Sequence, residues 1–314
     1  MKKTNIVAIG GGTGLSCLLR GLKKYNYDIT AVVNVADDGG SSGKLRTELG
    51  ILPPGDIRSC LVALSEEESL MSELFKYRFP AKGSLNGHSF GNLFLTAMSA
   101  VTGGFDNAVT HCGQVLAVKG RVLPVTLSSI SLEAELDSGE KVKGEQKISK
   151  VKKKIKKVYL TPDSSQTTRE VISAFRQADV IIIGPGSLYT SIIVNLLIGG
   201  VVSAIKRSKA YKIYIGNIMT QPGETRDYKL SDHIAAIENN SYENILDCAV
   251  VNNKTLPEKL LKKYKRYGAY QVENDKIRIK TVKANLIADE FYVRHDSQKL
   301  ARVLSEIIRV HIKR

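Results

Sequence analysis

No apolar run in this sequence approaches the ~20 residues needed to cross a bilayer, so a membrane-spanning protein is excluded as a reading. The opening "MKKTNIVAIGGGTG" puts basic residues before apolar ones, but glycines end the apolar stretch after Ile6–Ile9. It reads as a first strand and not as a signal peptide. Cysteine is scarce and scattered: Cys17, Cys60, Cys112 and Cys248 show no paired spacing. Neither a zinc site nor a disulfide framework is indicated, and a cytoplasmic location is expected. Internal repeats, low-complexity linkers and a convincing domain break are also missing. Residues 1–314 are therefore expected to form a single domain, long enough to fold on its own core without disulfide or metal.

Positive charge is abundant. The formal net charge of +15 would draw polyanions such as nucleic acid, anionic lipid or a phosphorylated metabolite. Nine lysines fall within "KVKGEQKISKVKKKIKK", Lys141 to Lys157. Such a run is ordinarily a solvated surface, the alternative being contact with an acidic partner. No aromatic residue interleaves with these lysines, so a stacking platform for single strands is not indicated and no specific nucleic-acid partner is expected.

The pattern of the remaining sequence is that of an α/β protein. "NIVAIG" reads as a short buried strand, Leu15–Lys24 as a helix and "DITAVVNVA" as a second strand, together a βαβ unit. "TTREVISAFRQA" (helix), "DVIIIGPG" (strand), "SIIVNLLIGGVVSAIKRS" (helix) and "AYKIYIGNI" (strand) continue the alternation. "ENILDCAVVN" reads as a strand, "LPEKLLKKYKRYG" as a helix, and Ser297–His311 as a final amphipathic helix. Uncharged strand interiors predict a mostly parallel sheet covered on both faces, a Rossmann-related three-layer arrangement. Between the halves, period-two alternation on either side of "DSGE" predicts an antiparallel hairpin projecting from about residue 121 to 157.

Glycine-rich turns stand where parallel strands end. "AIGGGTGL" offers Gly10, Gly11, Gly12, Thr13 and Gly14 at a strand-to-helix turn, where backbone amides and the helix dipole favour phosphate. The dinucleotide fingerprint is broken, since the sixth position counted from Gly10 is Leu15, although Asp37 or Asp38 could still reach a ribose. "VNVADDGGSSGKL" adds Asn34, Gly39, Ser41 and Ser42 around that carboxylate pair. Its "GGSSGK" is not a phosphate loop, because only three residues separate Gly39 from Gly43 and Leu45 follows Lys44. Paired acids at a strand end suit hydrated magnesium, with helix capping as the alternative. "PPGDIRS" brings Asp56 and Arg58, the latter fit for bidentate phosphate contact. "GHSFGN" places His88, Ser89 and Asn92 at a helix start, as a cap or as a base. "IIIGPGSLYTS" supplies Gly184, Pro185, Gly186, Ser187 and Thr190 as another amide nest, and "GNIMTQPGET" adds Asn217, Thr220 and Thr225. Four such loops predict one shared ligand cleft.

These motifs, with "YVRHDSQKLA", resemble the bacterial gluconeogenesis-factor (YvcK) branch of the CofD-like family, relatives of phospho-L-lactate transferase. The resemblance runs from the first strand to the last helix. It implies a CofD-like fold and binding of a nucleotide sugar such as UDP-N-acetylglucosamine. It also implies a regulatory role in cell shape and wall synthesis during gluconeogenic growth, with protein partners in wall synthesis. Carried over, the ligand contacts are Tyr264, with Tyr267 as alternative, and Arg294. The chain departs from the branch between Val272 and Arg294, where it is shorter, and at Asn195, where proline is expected. Two other readings stay open. One is a magnesium-dependent phospholactyl transferase with Asp38 and Asp56, or Asp37, holding the metal; the other is an NAD-binding protein. A homodimer is the expected assembly.

Overall fold

In the computed structural model, residues 3–66, 70–80, 82–288 and 292–312 are described. Ten strands form two sheets: β1 Thr4–Gly10, β2 Tyr27–Val33, β3 Arg121–Pro124, β4 Ser131–Leu136, β5 Lys141–Lys143, β6 Ile155–Thr161, β7 Val180–Ile183, β8 Tyr211–Ile215, β9 Cys248–Asn252 and β10 Lys280–Ala284. Seven of them build one sheet in the order β10-β9-β8-β7-β1-β2-β3, with every pairing parallel. Its central strands are apolar throughout because helices flank the sheet: Ile6 to Ile9 in β1 and Val180 to Ile183 in β7 are all buried. Each such side chain contributes roughly 1.5–3 kcal/mol of transfer free energy. No helix among the described residues is long and apolar enough to cross a membrane.

Three helices position the site: α1 Gly12–Leu22, α2 Gly40–Leu49 and α3 Gly55–Leu64. α1 starts two residues after β1 and buries Leu15, Leu18, Leu19 and Leu22, the spacing of one helical face. It packs against α3 and against the closing helix Ser297–His311, whose N-terminus is capped by Asp296 accepting from the Gln298 and Lys299 amides, both at 2.8 Å.

The predicted hairpin is confirmed around Asp137–Glu140 but its limits shift. Arg121–Pro124 does not belong to it; that segment is β3, the parallel edge beside β2, with Arg121 Nε donating to Thr30 Oγ1 at 2.8 Å. A short half-buried strand has the same alternation whether its neighbour runs parallel or antiparallel, which is why the sequence reading joined it to the wrong sheet. The antiparallel unit is three-stranded, in the order β5-β4-β6, and spans 131–161. Leu132, Ala134 and Leu136 form its buried face with Ile155, Val158 and Leu160. On the other face Glu133 and Glu135 neutralise Lys143 (3.1 Å) and Lys156 (2.7 Å), so part of the lysine run is paired within the unit itself. A second difference lies at 191–208, predicted as one helix. A wide helical turn at Leu188–Ile193 runs into Val194–Leu196, the chain then breaks, and Val201–Arg207 resumes. At the break the Gly199 amide leaves the helix to donate to the Ser165 carbonyl (2.9 Å), and Gly200 takes φ +91°.

Candidate functional site

The strand order reverses direction at β1 and β7. From β1 the chain moves to β2 on one side, and from β7 to β8 on the other, which opens a crevice beyond the carboxyl ends of these two strands. Both glycine-rich turns fall there. Gly14 lies directly on the Pro185 carbonyl, leaving no room for a side chain, so α1 and the turn after β7 meet backbone to backbone. Asn217, following β8, donates to the Gly186 carbonyl at 2.9 Å, and Gln221 Nε2 donates to Ser187 Oγ at 2.7 Å. Leu15, at the position where a dinucleotide fingerprint carries its last glycine, is fully buried.

A cleft of about 790 Å³ results. Of the predicted site residues it is lined by Gly11, Gly12, Thr13, Gly14, Pro185, Gly186, Ser187, Asn217, Tyr264 and Arg294, and by Thr220 and Tyr267 as well. The Tyr264 hydroxyl accepts from the Val293 amide at 2.9 Å, which fastens the segment carrying Arg294 to the helix Glu258–Lys265. Tyr292, beside it, lies within 4.6 Å of Lys263 Nζ and 5.8 Å of the Arg294 guanidinium, measured to the ring centre. The lining thus combines backbone and small polar groups with tyrosine and cation.

The acids sit next to this cleft, in the loops after β2 and at the start of α3. Asp37 accepts from the Gly39 amide at 2.8 Å. Burial is the main cause that raises its pKa. Asp56 is little accessible and accepts from the Gly12 amide; burial first, and then the neighbouring Asp37, push it up to about 7. Asp38 faces elsewhere and accepts from the Gln146 amide at 3.0 Å, joining this loop to the inserted sheet. Glu145, next to it in the insert, lines the cleft; burial, followed by the charges of Asp56 and Asp37, holds its pKa well above the usual range. Among the described residues no group of three or more His, Cys, Asp or Glu is gathered as an ion-binding cluster.

Several predicted residues do other work. Thr190 is not part of a free amide nest: Glu224, buried, accepts from the Tyr189 and Thr190 amides (2.9 and 3.2 Å) and from Thr190 Oγ1 (2.7 Å). An internal carboxylate fills the place assigned to an external anion. Thr225 likewise accepts from the Gln221 amide at 2.9 Å within its own loop. Arg58 does not line the cleft and donates instead to the Phe75 carbonyl (3.3 Å) and Ser59 Oγ (3.2 Å). His88 and Asn92 meet at Ser41, with Nδ1 3.0 Å and Nδ2 3.1 Å from its hydroxyl, in a buried network joining α2 to the helix Phe90–Val101. Ser89 caps that helix, accepting from the Asn92 amide at 3.3 Å. Asn34 is fully buried and spans two loops, donating to the Thr190 carbonyl (3.3 Å) and accepting from the Ala36 amide (2.8 Å). Gly10, Gly39 and Gly184 shape the turns without lining the cleft, and Ser42, within α2, does not line it either but bonds Asp37. At Asn195 the side chain donates to the carbonyls of Gly10 (3.2 Å) and Ser191 (2.7 Å), bracing the turn after β1.

The sequence reading missed Cys17, Arg20, Glu145, Gln221 and His295, all of which line the cleft. Burial lowers the His295 pKa to about 4, so its imidazole is neutral there. His295 and Asp296 stand in the motif that supplied Arg294, so proximity was the available signal; Glu145 had none, being one acid inside a run of lysines.

Comparison with known proteins agrees with this architecture. The family model for 2-phospho-L-lactate transferase CofD matches residues 6–292. A relative from Nostoc sp. is 51% identical over 307 residues, 95% of this chain and 67% of that protein. The gluconeogenesis factor of Bacillus subtilis (strain 168) is 45% identical over 314 residues, 98% of this chain and 99% of its own. A crystal structure of a UPF0052-family protein from Bacillus halodurans is 46% identical, covers 97% of this chain and 99% of that one, and superposes with a TM-score of 0.93. With the strand order, the paired glycine turns and these matches in agreement, the chain belongs to the 2-phospho-L-lactate transferase CofD family, among relatives named gluconeogenesis factors.

Proposed function

We propose that this protein is a cytoplasmic regulator that binds a nucleotide sugar of the UDP-N-acetylglucosamine type and passes that state to protein partners governing cell shape and wall synthesis during gluconeogenic growth. The observation that carries this reading is that one cleft is lined both by the glycine turns after β1 and β7 and by Tyr264 and Arg294. Turn amides and an arginine suit a diphosphate, and a tyrosine ring suits a base. Calorimetry with UDP-N-acetylglucosamine tests it. Saturable heat is expected, and silence at millimolar ligand refutes it.

A second reading, transfer of a phospholactyl group from a guanosine diphosphate ester to a deazaflavin alcohol, is favoured by the adjacent carboxylates Asp37 and Asp56. Their all-oxygen donor set fits magnesium, which binds through one or two carboxylates plus substrate phosphate oxygens and so needs no complete protein cage. Asp37 and Asp56 would hold it, Asp38 being engaged with the insert. When bound, the ion would neutralise charge on the transferring group. The chain's own part is to align donor and acceptor over the turn amides. Mass spectrometry after incubation with both substrates and magnesium decides this reading, and absence of product removes it.

A further inference from the structure

Glu145 belongs to the inserted three-stranded unit and not to the parallel body, yet it lines the central cleft. Among the described residues no hydrogen-bond or ion-pair partner explains its position there. Its Oε2 is buried without a hydrogen-bond partner among the described residues. The charges that act most on it, Asp56, Asp37, Glu224 and Asp38, are all of its own sign. The short helix Glu145–Ile148 is anchored by other groups: Asp38 accepts from the Gln146 amide, and Ile148 is fully buried in the core. The carboxyl is therefore not what holds the insert down. A buried acid lacking a partner among like charges costs stability, and such conflicts between local and global preference collect at functional positions.

We infer that Glu145 is a specificity-determining residue that reads the sugar portion of the ligand, accepting a hydrogen bond from a sugar hydroxyl or acylamino N–H. This rests on the nucleotide-sugar reading above. Phosphate oxygens are acceptors and carry negative charge, so they cannot pair with the Glu145 carboxyl, whereas turn amides and Arg294 offer them donors. A sugar carries several donors and no charge, which complements a carboxyl oxygen in either protonation state. Glu145 is half-buried with Oε2 on its inner side, so the other carboxyl oxygen is the one that would meet the sugar. A basic insert thus contributes one acid to ligand selection, while its lysines remain on the surface.

The test is calorimetry of the full chain with UDP-N-acetylglucosamine and, separately, with UDP, on wild type, Glu145→Ala and Glu145→Gln. Glu145→Ala is expected to weaken the sugar nucleotide by roughly tenfold or more while leaving UDP within about twofold. Glu145→Gln keeps one acceptor oxygen and the side-chain shape, and its expected loss is smaller. Its melting curve, read beside that of wild type, separates lost recognition from lost folding. Equal weakening of both ligands shows that Glu145 acts on the nucleotide or on the fold and overturns the inference; unchanged binding of both does the same. If wild type binds neither ligand, the nucleotide-sugar reading itself fails. That result is distinct from binding that ignores Glu145.

Discussion

Replacing Asp56 with asparagine should remove a large part of the protein's pH dependence of stability. Asp56 has an ordinary carboxylate pKa of 3.8 when the chain is unfolded and one of about 7 in the folded state, because burial and then Asp37 disfavour its charge. Below pH 3.8 both states hold the proton. Between 3.8 and about 7 the unfolded chain has released it and the folded one has not, so rising pH favours unfolding across this window; above about 7 the loss is complete. At ~1.36 kcal/mol per pH unit the full window has an upper bound of ~4 kcal/mol. Water reaching the partly accessible carboxyl reduces this to ~2 kcal/mol, of which about 1 kcal/mol or slightly more falls between pH 5 and pH 8. Asp56→Asn keeps an acceptor for the Gly12 amide and lacks the charge. Urea denaturation at pH 5, 6, 7 and 8 reads the effect: with an m-value of about 3 kcal/mol per molar, the wild-type midpoint should fall by roughly 0.4 M more than that of the variant. The variant should be the more stable protein at pH 8. Parallel midpoints across the series would refute the reasoning, since Asp56 would then be solvated as an ordinary surface carboxylate.

Gly14→Ala drives a methyl group into the Pro185 carbonyl and should cost about 1–3 kcal/mol in thermal unfolding, with nucleotide-sugar affinity falling as the two turns part. Glu224→Ala leaves two buried amides and a hydroxyl without an acceptor and should cost about 3 kcal/mol or more, whereas Glu224→Gln, whose amide oxygen can take both N–H groups while Thr190 Oγ1 reverses its role, should stay within about 1 kcal/mol of wild type. Equal losses for the two variants in chemical denaturation would contradict the assigned hydrogen bonds. Tyr264→Phe removes the 2.9 Å contact to the Val293 amide, so ligand binding measured by calorimetry should weaken by several-fold while stability changes by only about 1 kcal/mol.

The parallel body was legible because its signals are local. β1, β7 and β8 are short apolar runs each ended by glycine, and β2 is a run rich in β-branched residues that stops at the polar loop from Asn34. The identity of the ligand-facing turns was legible for the same reason: Gly10–Gly14 and Gly184–Ser187 declare an unusual backbone. What stayed hidden was pairing over long separations. Thr190 and Glu224 are 34 residues apart, and no local pattern announces that one acid will satisfy the other's helix terminus. Asp38 and Gln146 are 108 residues apart, so the insert's attachment to the acidic loop was equally invisible. Arg58 shows the converse failure. Its residue type suits phosphate, but the Phe75 carbonyl lies within its reach and claims it first.

The distribution of charge around the cleft explains why its chemistry cannot be read from the net value of +15. A ligand carrying phosphates approaches a basic surface and meets Arg294 and Lys263 at the tyrosine wall, which favours encounter over a Debye length of ~8–10 Å. Beside the cleft stands Asp56, whose pKa of about 7 lets it shed its charge near neutrality, and in its lining stands Glu145, held well toward the protonated form. Protonation therefore lowers the repulsion that a diphosphate held by the turn amides would meet from these two acids. Binding of such an anion should raise both carboxyl pKa values further and take up protons, the more so the closer the pH lies to 7. Calorimetric titrations in buffers of different ionisation enthalpy measure that uptake directly. An uptake that falls in Asp56→Asn would place the phosphate beside α3; an uptake unchanged in that variant would place it elsewhere.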